Sequence, residues 1–320
     1  LNADENGKCM NFERVAAVFN ISFPMSYFTF KRFSHFAEYC ALRAMQLLLS
    51  VIPRSLALKS GALLGSGLYF AGIYRNVVEK NMETLNLWSI REQKRITRNL
   101  YRTMGRYAVD FLRGFPPLPP YSVVHGEILN DALAQGKGVI ILLGHFGNWE
   151  LLADIFGSKV SSLSVVAKPM RNPYVNQWLA RKRNAAAVDT IYVDNALRKI
   201  YEAIKRNGIV AILIDQHAGS QGTLVPFLGR ETSTIRTIAG LEHKTGCAVL
   251  PTYALLLDDD TYEIVLSIAP APAAAGRSDD AILAECQIQH NAILSEWIMR
   301  YPHHWFGWFH KRFKESINYD

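Results

Sequence analysis

The segment richest in reactive and conformationally unusual residues is Val139-Ile140-Ile141-Leu142-Leu143-Gly144-His145-Phe146-Gly147-Asn148-Trp149-Glu150. An apolar run with the character of a buried strand leads straight into Gly-His-x-Gly-Asn, and a helical pattern opens near Asn148 or Trp149. In open α/β sheets, ligands collect at the carboxyl ends of strands, and the spacing sets His145 there. The glycines permit a tight turn and close approach of a bound molecule, so Gly144 and Asn148 are read as substrate contacts. An imidazole at such a point is suited to general-base work. A hydroxyl is too weak an acid to attack a carbonyl carbon unaided, and a neutral imidazole takes its proton as the new bond forms. The base needs a carboxylate to fix its tautomer and stabilise the imidazolium. Glu150, five residues on in the first helical turn, is the expected partner. No GxSxG turn is present, so the base is expected to act on the acceptor hydroxyl directly, without a covalent enzyme intermediate.

Other residue groups fall on the same rim. Lys168 and Arg171 follow an apolar run, and Arg181, Lys182 and Arg183 lie along the next helical stretch. Clustered cations of this kind suit phosphates; a solvated basic helix face is the plainer alternative for Arg181–Arg183. Asp215-Gln216 ends the apolar run Ile209–Ile214, which places the two on the His145 rim. They either shape the site and bind acceptor or cap the loop that follows. The tail carries His303, His304 and His310, whose spacing matches no common zinc pattern; no metal is expected. Trp305, Phe306, Trp308 and Phe309 read as core packing, with an acyl-tunnel wall or an interfacial patch as alternatives.

The elements that must position these residues alternate. Strand-like runs are 138–143, 162–167, 190–193, 209–214, 248–257 and 263–268. Helix-like runs are 128–135, 148–156, 174–186, 196–206, 233–245 and 279–300. This pattern predicts an α/β fold, with a mixed, largely parallel central sheet flanked by helices. The segment Leu256–Tyr262 reads as a hairpin turn. Upstream, residues 36–87 are helical in pattern, broken by Pro53, with small residues Gly61, Gly65, Gly67 and Gly72 allowing close helix contact. Ser89-Ile90-Arg91-Glu92 is a capping box that starts a helix reaching Arg113. Phe115-Pro116-Pro117-Leu118-Pro119-Pro120 ends that helix and forms a stiff connector. The expected organisation is a poorly defined arm (1–34), a helical membrane-proximal extension (35–114) and an α/β core (121–314), with 35–314 as one structural domain.

Composition narrows the partners. Among 320 residues, 49% are hydrophobic and the net charge is +7. That charge favours an anionic partner: a membrane surface, an acidic carrier protein or nucleic acid. The absence of finger spacings, aromatic-basic ribonucleoprotein motifs and long Lys/Arg blocks argues against nucleic acid. The cysteines Cys9, Cys40, Cys247 and Cys286 are scattered, as in a reducing compartment, and read as small apolar fillers. No uninterrupted apolar stretch reaches the roughly 18–20 residues that span a bilayer, and residues 1–12 lack the form of a signal peptide. The expected mode is therefore contact with a membrane without crossing it.

Taken in order, four blocks carry a family resemblance. Residues 124–152, then Lys168-Pro169-Met170-Arg171-Asn172-Pro173, then Asp215-Gln216-His217 with Val225-Pro226-Phe227-Leu228-Gly229, then residues 301–314 resemble the conserved blocks of the bacterial lipid A late acyltransferases, the lauroyl and myristoyl transferases. These belong to the lysophospholipid acyltransferase superfamily with its His-x4-Asp/Glu motif. The resemblance covers about residues 36–314. It implies a glycerol-3-phosphate acyltransferase-like fold and an O-acyltransferase without a cofactor. The implied donor is an acyl carrier protein thioester or, less often, acyl-CoA, and the acceptor a hydroxyl of a lipid A precursor. It implies His145 as base with Glu150 as partner, Arg171 holding phosphate or donor, and a place on the cytoplasmic face of the bacterial inner membrane, peripheral or monotopic. Members often carry an N-terminal transmembrane anchor, whereas the equivalent region here is interrupted by charge. Another anionic lipid or glycolipid acceptor, a thioesterase, or a non-catalytic carrier- or membrane-binding module are the alternatives.

Overall fold

The computed structural model describes residues 30–114, 117–160, 162–194, 196–272 and 276–319. The expected arm (1–34) lies outside these residues except for its last five, which begin the first helix.

Four helices come first: α1 (Phe30–Val51), α2 (Arg54–Phe70), α3 (Arg75–Leu85) and α4 (Ile90–Arg113). Pro53 separates α1 from α2 and serves as the N-cap of α2, because proline cannot donate to the preceding turn. The capping box that opens α4 forms as read: the Ser89 side chain accepts from the Glu92 backbone, and Glu92 reaches back to the Ser89 backbone. Helices α2 and α4 cross in near backbone contact. A Cβ at Gly65 would lie 2.0 Å from the Tyr101 carbonyl oxygen, and one at Gly105 2.0 Å from that of Gly61. Arg54 then clamps the crossing by donating Nε and Nη2 to both carboxylate oxygens of Asp110, at 2.9 and 2.7 Å.

The α/β part follows. Its strands are β1 (Tyr121–Val124), β2 (Val139–Leu143), β3 (Leu163–Ala167), β4 (Val188–Tyr192), β5 (Ile209–Leu213), β6 (Thr223–Phe227), β7 (Arg230–Thr234), β8 (Ala248–Leu256) and β9 (Tyr262–Leu266). Its helices are α5 (Glu127–Ala134), α6 (Trp149–Gly157), α7 (Pro173–Ala185), α8 (Ala196–Lys205), α9 (Thr237–Thr245) and α10 (Asp279–Arg300). Seven strands form one sheet in the order β1-β9-β8-β2-β5-β3-β4, and β6 with β7 forms a separate hairpin. Every pairing in the large sheet is parallel except β8 with β9. The expected mixed, largely parallel sheet is therefore present, and the turn before Tyr262 does close an antiparallel pair.

Alternate residues of β2 and β5 enter different cores. Ile140, Leu142, Val210 and Ile212 pack into one; Val139, Ile141, Leu143, Ile209 and Ala211 pack into the other. Both faces are covered, which is why these strands read as continuous apolar runs. The N-terminal helices help cover both: Val78, Met82, Ile96 and Leu100 join the first core, and Leu49, Ala57, Leu58 and Tyr107 the second.

Two expectations are corrected. Strands β1 and β6 were not foreseen; four residues beside a proline run, and five that include Pro226, give too short a pattern. Ser233 and Thr234 were expected to begin a helix but pair in β7 with Leu224 and Thr223. The β-branched residues of Thr232–Thr234 favour a strand, and Leu228 and Gly229, both at positive φ (49° and 76°), make a tight hairpin turn. Helix α9 begins only at Thr237.

The α2–α4 crossing sets a test of the fold. Gly65→Ala forces the two backbones apart and is expected to cost about 1–3 kcal/mol, as overpacking does. Gly67, with open space around its Cβ position, is expected to accept alanine without loss. Thermal melts of the two variants check this, and equal midpoints would contradict the close crossing.

Candidate active site

Strands β2 and β5 are parallel neighbours, with Leu143 opposite Leu213. His145 lies two residues past the first and Asp215 two residues past the second, so the register delivers both to one place on the sheet rim. The backbone continues the pairing for one more step, with Ile214 N donating to Leu143 O at 3.0 Å.

Asp215 is 1% exposed and its carboxylate accepts three hydrogen bonds. Oδ1 receives His145 Nδ1 at 2.8 Å. Oδ2 receives the His145 backbone N–H at 2.8 Å and Trp305 Nε1 at 2.7 Å. Burial by itself raises a carboxyl pKa. Here the His145 charge and these donors outweigh it and hold Asp215 at about 2. Burial likewise opposes charging His145, but the Asp215 charge and hydrogen bond, with a smaller contribution from the Glu150 charge, raise its pKa above the ordinary 6.5. An ionised carboxylate only accepts, so Nδ1 carries the proton and Nε2 is left as the basic nitrogen. The amide nitrogen of exposed Gln216 is 3.5 Å from that Nε2. The rings of Trp149 and Phe306 flank the imidazole at 5.0 and 6.4 Å.

The expected His145–Glu150 hydrogen bond is not made. Glu150 Oε1 accepts from Arg183 Nη2 at 2.7 Å, and Lys182 Nζ donates to Asp154 at 2.6 Å. Two of the three clustered cations thus join α7 to α6, a reading that neither the phosphate nor the solvated-face alternative included. The reason is geometric: Glu150 lies in the first turn of α6 and faces α7, while His145 is held from the opposite side by Asp215.

Asn148 is also reassigned. It is 4% exposed and caps α6, its Oδ1 accepting from Leu151 N at 3.1 Å. Its Nδ2 donates to Tyr262 Oη at 2.9 Å, and that hydroxyl donates to Asp110. Both polar groups are committed, so it supports the turn where a substrate contact was expected. Gly147 holds a positive φ of 65°, and a Cβ there would lie 2.1 Å from Ala254 O. Gly144 sits beneath the pair: a Cβ would meet Leu294 at 2.8 Å and Asp215 Oδ2 at 3.4 Å. Lys168 and Arg171 are exposed in the connection from β3 to α7, on the same rim because β3 is parallel to β5.

The C-terminal segment straps this turn. Gly147 N donates to His304 O, and Phe306 N to His145 O, at 2.9 and 2.8 Å. Trp305 and Trp308 are fully buried, which resolves these two in favour of core packing and gives Trp305 a hydrogen bond to Asp215 besides. Arg312, also 0% exposed, donates to Gln216 O and to Thr234 Oγ1, both at 2.8 Å. Its part in holding the Asp215-Gln216 turn was missed; a basic residue near the chain's end gave no sign of burial. His304 is buried, its pKa pulled down by burial. Its Nδ1 shares a hydrogen bond with Tyr107 Oη.

Two comparisons bear on this arrangement. The profile described as bacterial lipid A biosynthesis acyltransferase matches residues 29–315. Two Mycobacterium tuberculosis proteins named phosphatidylinositol mannoside acyltransferase, from strains CDC 1551 / Oshkosh and ATCC 25618 / H37Rv, are each 25% identical over 129 residues. That match spans 39% of this chain and 41% of each relative's length.

Asp215→Asn removes the anion that raises the His145 pKa while burial still opposes the charge. The His145 imidazole is then expected to titrate below 6.5, where the wild type titrates above it. NMR titration of the imidazole reads this directly; an unchanged midpoint would remove Asp215 as its partner.

Proposed function

This chain belongs to the bacterial lipid A biosynthesis acyltransferase family, and we propose that it moves a fatty acyl group from an acyl carrier protein thioester to a hydroxyl of a lipid A precursor. The observation that carries the reading is the pairing of half-buried His145 with buried Asp215, with Nε2 left basic beside the sheet rim. Nε2 takes the acceptor hydroxyl's proton as its oxygen bonds to the thioester carbon. The carbonyl electron pair moves to oxygen, then returns as the C–S bond breaks, and the imidazolium proton goes to the departing thiolate. Asp215 stabilises the transient imidazolium and fixes the tautomer. Glu150, expected as the partner, acts one step removed, as the ion-pair partner of Arg183. Exposed Lys168 and Arg171 are suited to acceptor or donor phosphates.

Acyl transfer to another glycolipid is the second reading, favoured by the partial likeness to proteins named for phosphatidylinositol mannoside. It uses the same pair and differs only in acceptor.

We assign the protein to a membrane surface, at the cytoplasmic face of the inner membrane. Among the described residues no single helix is long and apolar enough to cross a bilayer; α2 with α3 passes only as a pair bent by 80°. Yet Leu47, Leu48 and Val51 of α1 and Leu56, Leu63, Leu64 and Phe70 of α2 are exposed, Leu63 by 75% and Phe70 by 78%. Exposed apolar residues gathered on neighbouring helices suit an interface with lipid. The carrier donor is supported by a different surface. Arg91, Lys94, Arg95, Arg98 and Arg102 recur along one side of α4, all exposed. Four of them form a continuous polar surface on this helix with Glu92 and Asn99. Glu92 keeps its negative charge in the capping box, but it is one anion among five cations, so the strip stays positive, as suits an acidic protein.

Purified protein incubated with labelled acyl carrier protein thioester and a lipid A precursor is expected to give acylated lipid. His145→Ala should lower the rate by roughly 10²–10⁴-fold with folding retained. A loss under tenfold removes His145 from the role, and free fatty acid whose release ignores added acceptor points to a thioesterase.

Arg95→Glu with Arg98→Glu is expected to raise KM for the carrier-bound donor while sparing a short acyl-pantetheine donor, with the gap closing at high salt. Equal effects on both donors would rule out the strip as carrier contact.

A further inference from the structure

Residues 215–217 close the carboxyl end of β5, and two of their three side chains are engaged. Asp215 is held by His145 and Trp305. His217 is bound at both ring nitrogens, with Nε2 2.7 Å from Glu315 Oε1 and Nδ1 accepting from Gly219 N at 3.0 Å. Gln216, between them, is exposed. Its backbone is anchored, since its carbonyl accepts from buried Arg312 at 2.8 Å. Its amide nitrogen makes only a long contact, 3.5 Å, with His145 Nε2.

That contact decides which end of the amide faces the base. Nδ1 keeps its proton for Asp215, so Nε2 only accepts, and the amide nitrogen, with its two hydrogens, belongs against it. Gln216 thus offers N–H donors, in solvent-accessible space, beside the one nitrogen that the mechanism uses. Other donors in this turn are spent: His145 N on Asp215, Gly147 N on His304 O and Asn148 N on Ala254 O. The His310 ring lies 5.9 Å from that of His145, centroid to centroid, but its Nε2 is buried.

We propose that Gln216 is a further catalytic residue, whose side-chain N–H donates a hydrogen bond to the thioester carbonyl oxygen as that oxygen gains negative charge. This rests on the acyl-transfer reading above. The distances suit it. The acceptor oxygen lies about 2.8 Å from Nε2, and the carbonyl oxygen about 2.9 Å from the amide nitrogen, as ordinary hydrogen bonds do. Both oxygens are bonded to the same carbon in the intermediate, and the 3.5 Å between Nε2 and the amide nitrogen closes the figure. In the resting enzyme the amide lies against the Nε2 lone pair. The acceptor hydroxyl takes that place, and a protonated Nε2 no longer accepts, so the N–H turns to the carbonyl oxygen as charge builds there. The covalent change is the one already written: the acceptor O–C bond forms, the C–S bond breaks, and the proton passes from the hydroxyl through His145 to the thiolate. Gln216 neither gains nor loses a proton in it. As a neutral donor it adds no second positive charge beside the imidazolium.

The test compares wild type with Gln216→Met, which keeps the side chain's length without an N–H, and Gln216→Ala. Carrier thioester and lipid acceptor are used, with thermal midpoints recorded for each protein. Both variants are expected to lower kcat by about 10–10²-fold, less than the 10²–10³-fold typical of a donor shielded from water. The KM for each substrate should stay within about threefold, since a donor to the oxyanion acts in the transition state. Midpoints should match wild type, because the side chain is exposed. The acid limb of the pH–rate profile should keep its position, because Asp215 sets the His145 pKa. Where wild type transfers to no tested lipid, hydrolysis of the thioester is compared instead, because attack by water builds the same oxyanion.

A loss under threefold in both variants overturns the proposal. So does activity kept by methionine and lost by alanine, which makes side-chain volume the cause. A raised acceptor KM at unchanged kcat makes Gln216 an acceptor contact, and a displaced acid limb that accounts for the loss makes it a modulator of the base; either result overturns the proposal. Failure of the acyl-transfer reading looks different: wild type and His145→Ala would then be equally inactive toward every thioester, and the proposal falls with it.

Discussion

The structure around the rim depends on keeping one carboxylate ionised where water is nearly absent. An isolated carboxylate at the depth of Asp215 would take up a proton. It stays charged because three N–H groups converge on it, two from His145 and one from Trp305. These donors come from two distant stretches of chain, and each must arrive at a fixed angle. The requirement explains features that are otherwise unconnected. Gly144 leaves the space that a Cβ would take from Leu294 and the carboxylate. The β2–β5 register brings the two turns level.

The closing segment is the second half of that arrangement. Residues 304–312 contribute a carbonyl to Gly147, a backbone donor to His145, an indole to Asp215 and a buried guanidinium to the Gln216 carbonyl. Arg312 is stacked 5.0 Å from the Phe227 ring centroid, so its charge is met by carbonyl dipoles and a π-face where water would otherwise serve. The base, its carboxylate and the segment that locks them are thus separated in sequence, and the geometry exists only once all three are folded together. Removing this segment would leave His145 without part of its orientation, even though the GHFGNWE stretch remained intact.

The N-terminal helices answer two demands at once. Their inner faces fill both cores of the α/β sheet, and the Gly61–Gly105 and Gly65–Tyr101 contacts draw α2 and α4 close together. Their outer faces divide by chemistry: leucines and phenylalanine on α1 and α2, arginines and lysine on α4. One surface avoids water and the other seeks anions. The acyl transfer proposed above, with a lipid acceptor and an acidic carrier as donor, would use both.

Much of this was legible in the sequence because the signals are local. Period-two and period-3.6 patterning gave the alternating strands and helices, Ser89 and Glu92 gave the start of α4, and Gly-His-x-Gly-Asn marked the turn that carries His145. Asp215 was legible as a residue of the same rim, since it ends an apolar strand as His145 nearly does. Its partnership was not. Sequence distance favoured Glu150, five residues away, over Asp215, seventy away. Only the sheet order puts β2 beside β5 and turns Glu150 toward Arg183. Arg312 and His310 fall in the tail block that carries the resemblance, but what they face was illegible for the same reason. A cation or an imidazole near the end of a chain has no local mark of burial, and what it faces is decided by how distant segments pack. The sequence by itself determined most of the longer elements and which residues have the chemistry; the tertiary structure decided the short strands and which of these residues meet, because hydrogen bonds and charge pairs act over a few ångströms of space, whatever their separation along the chain.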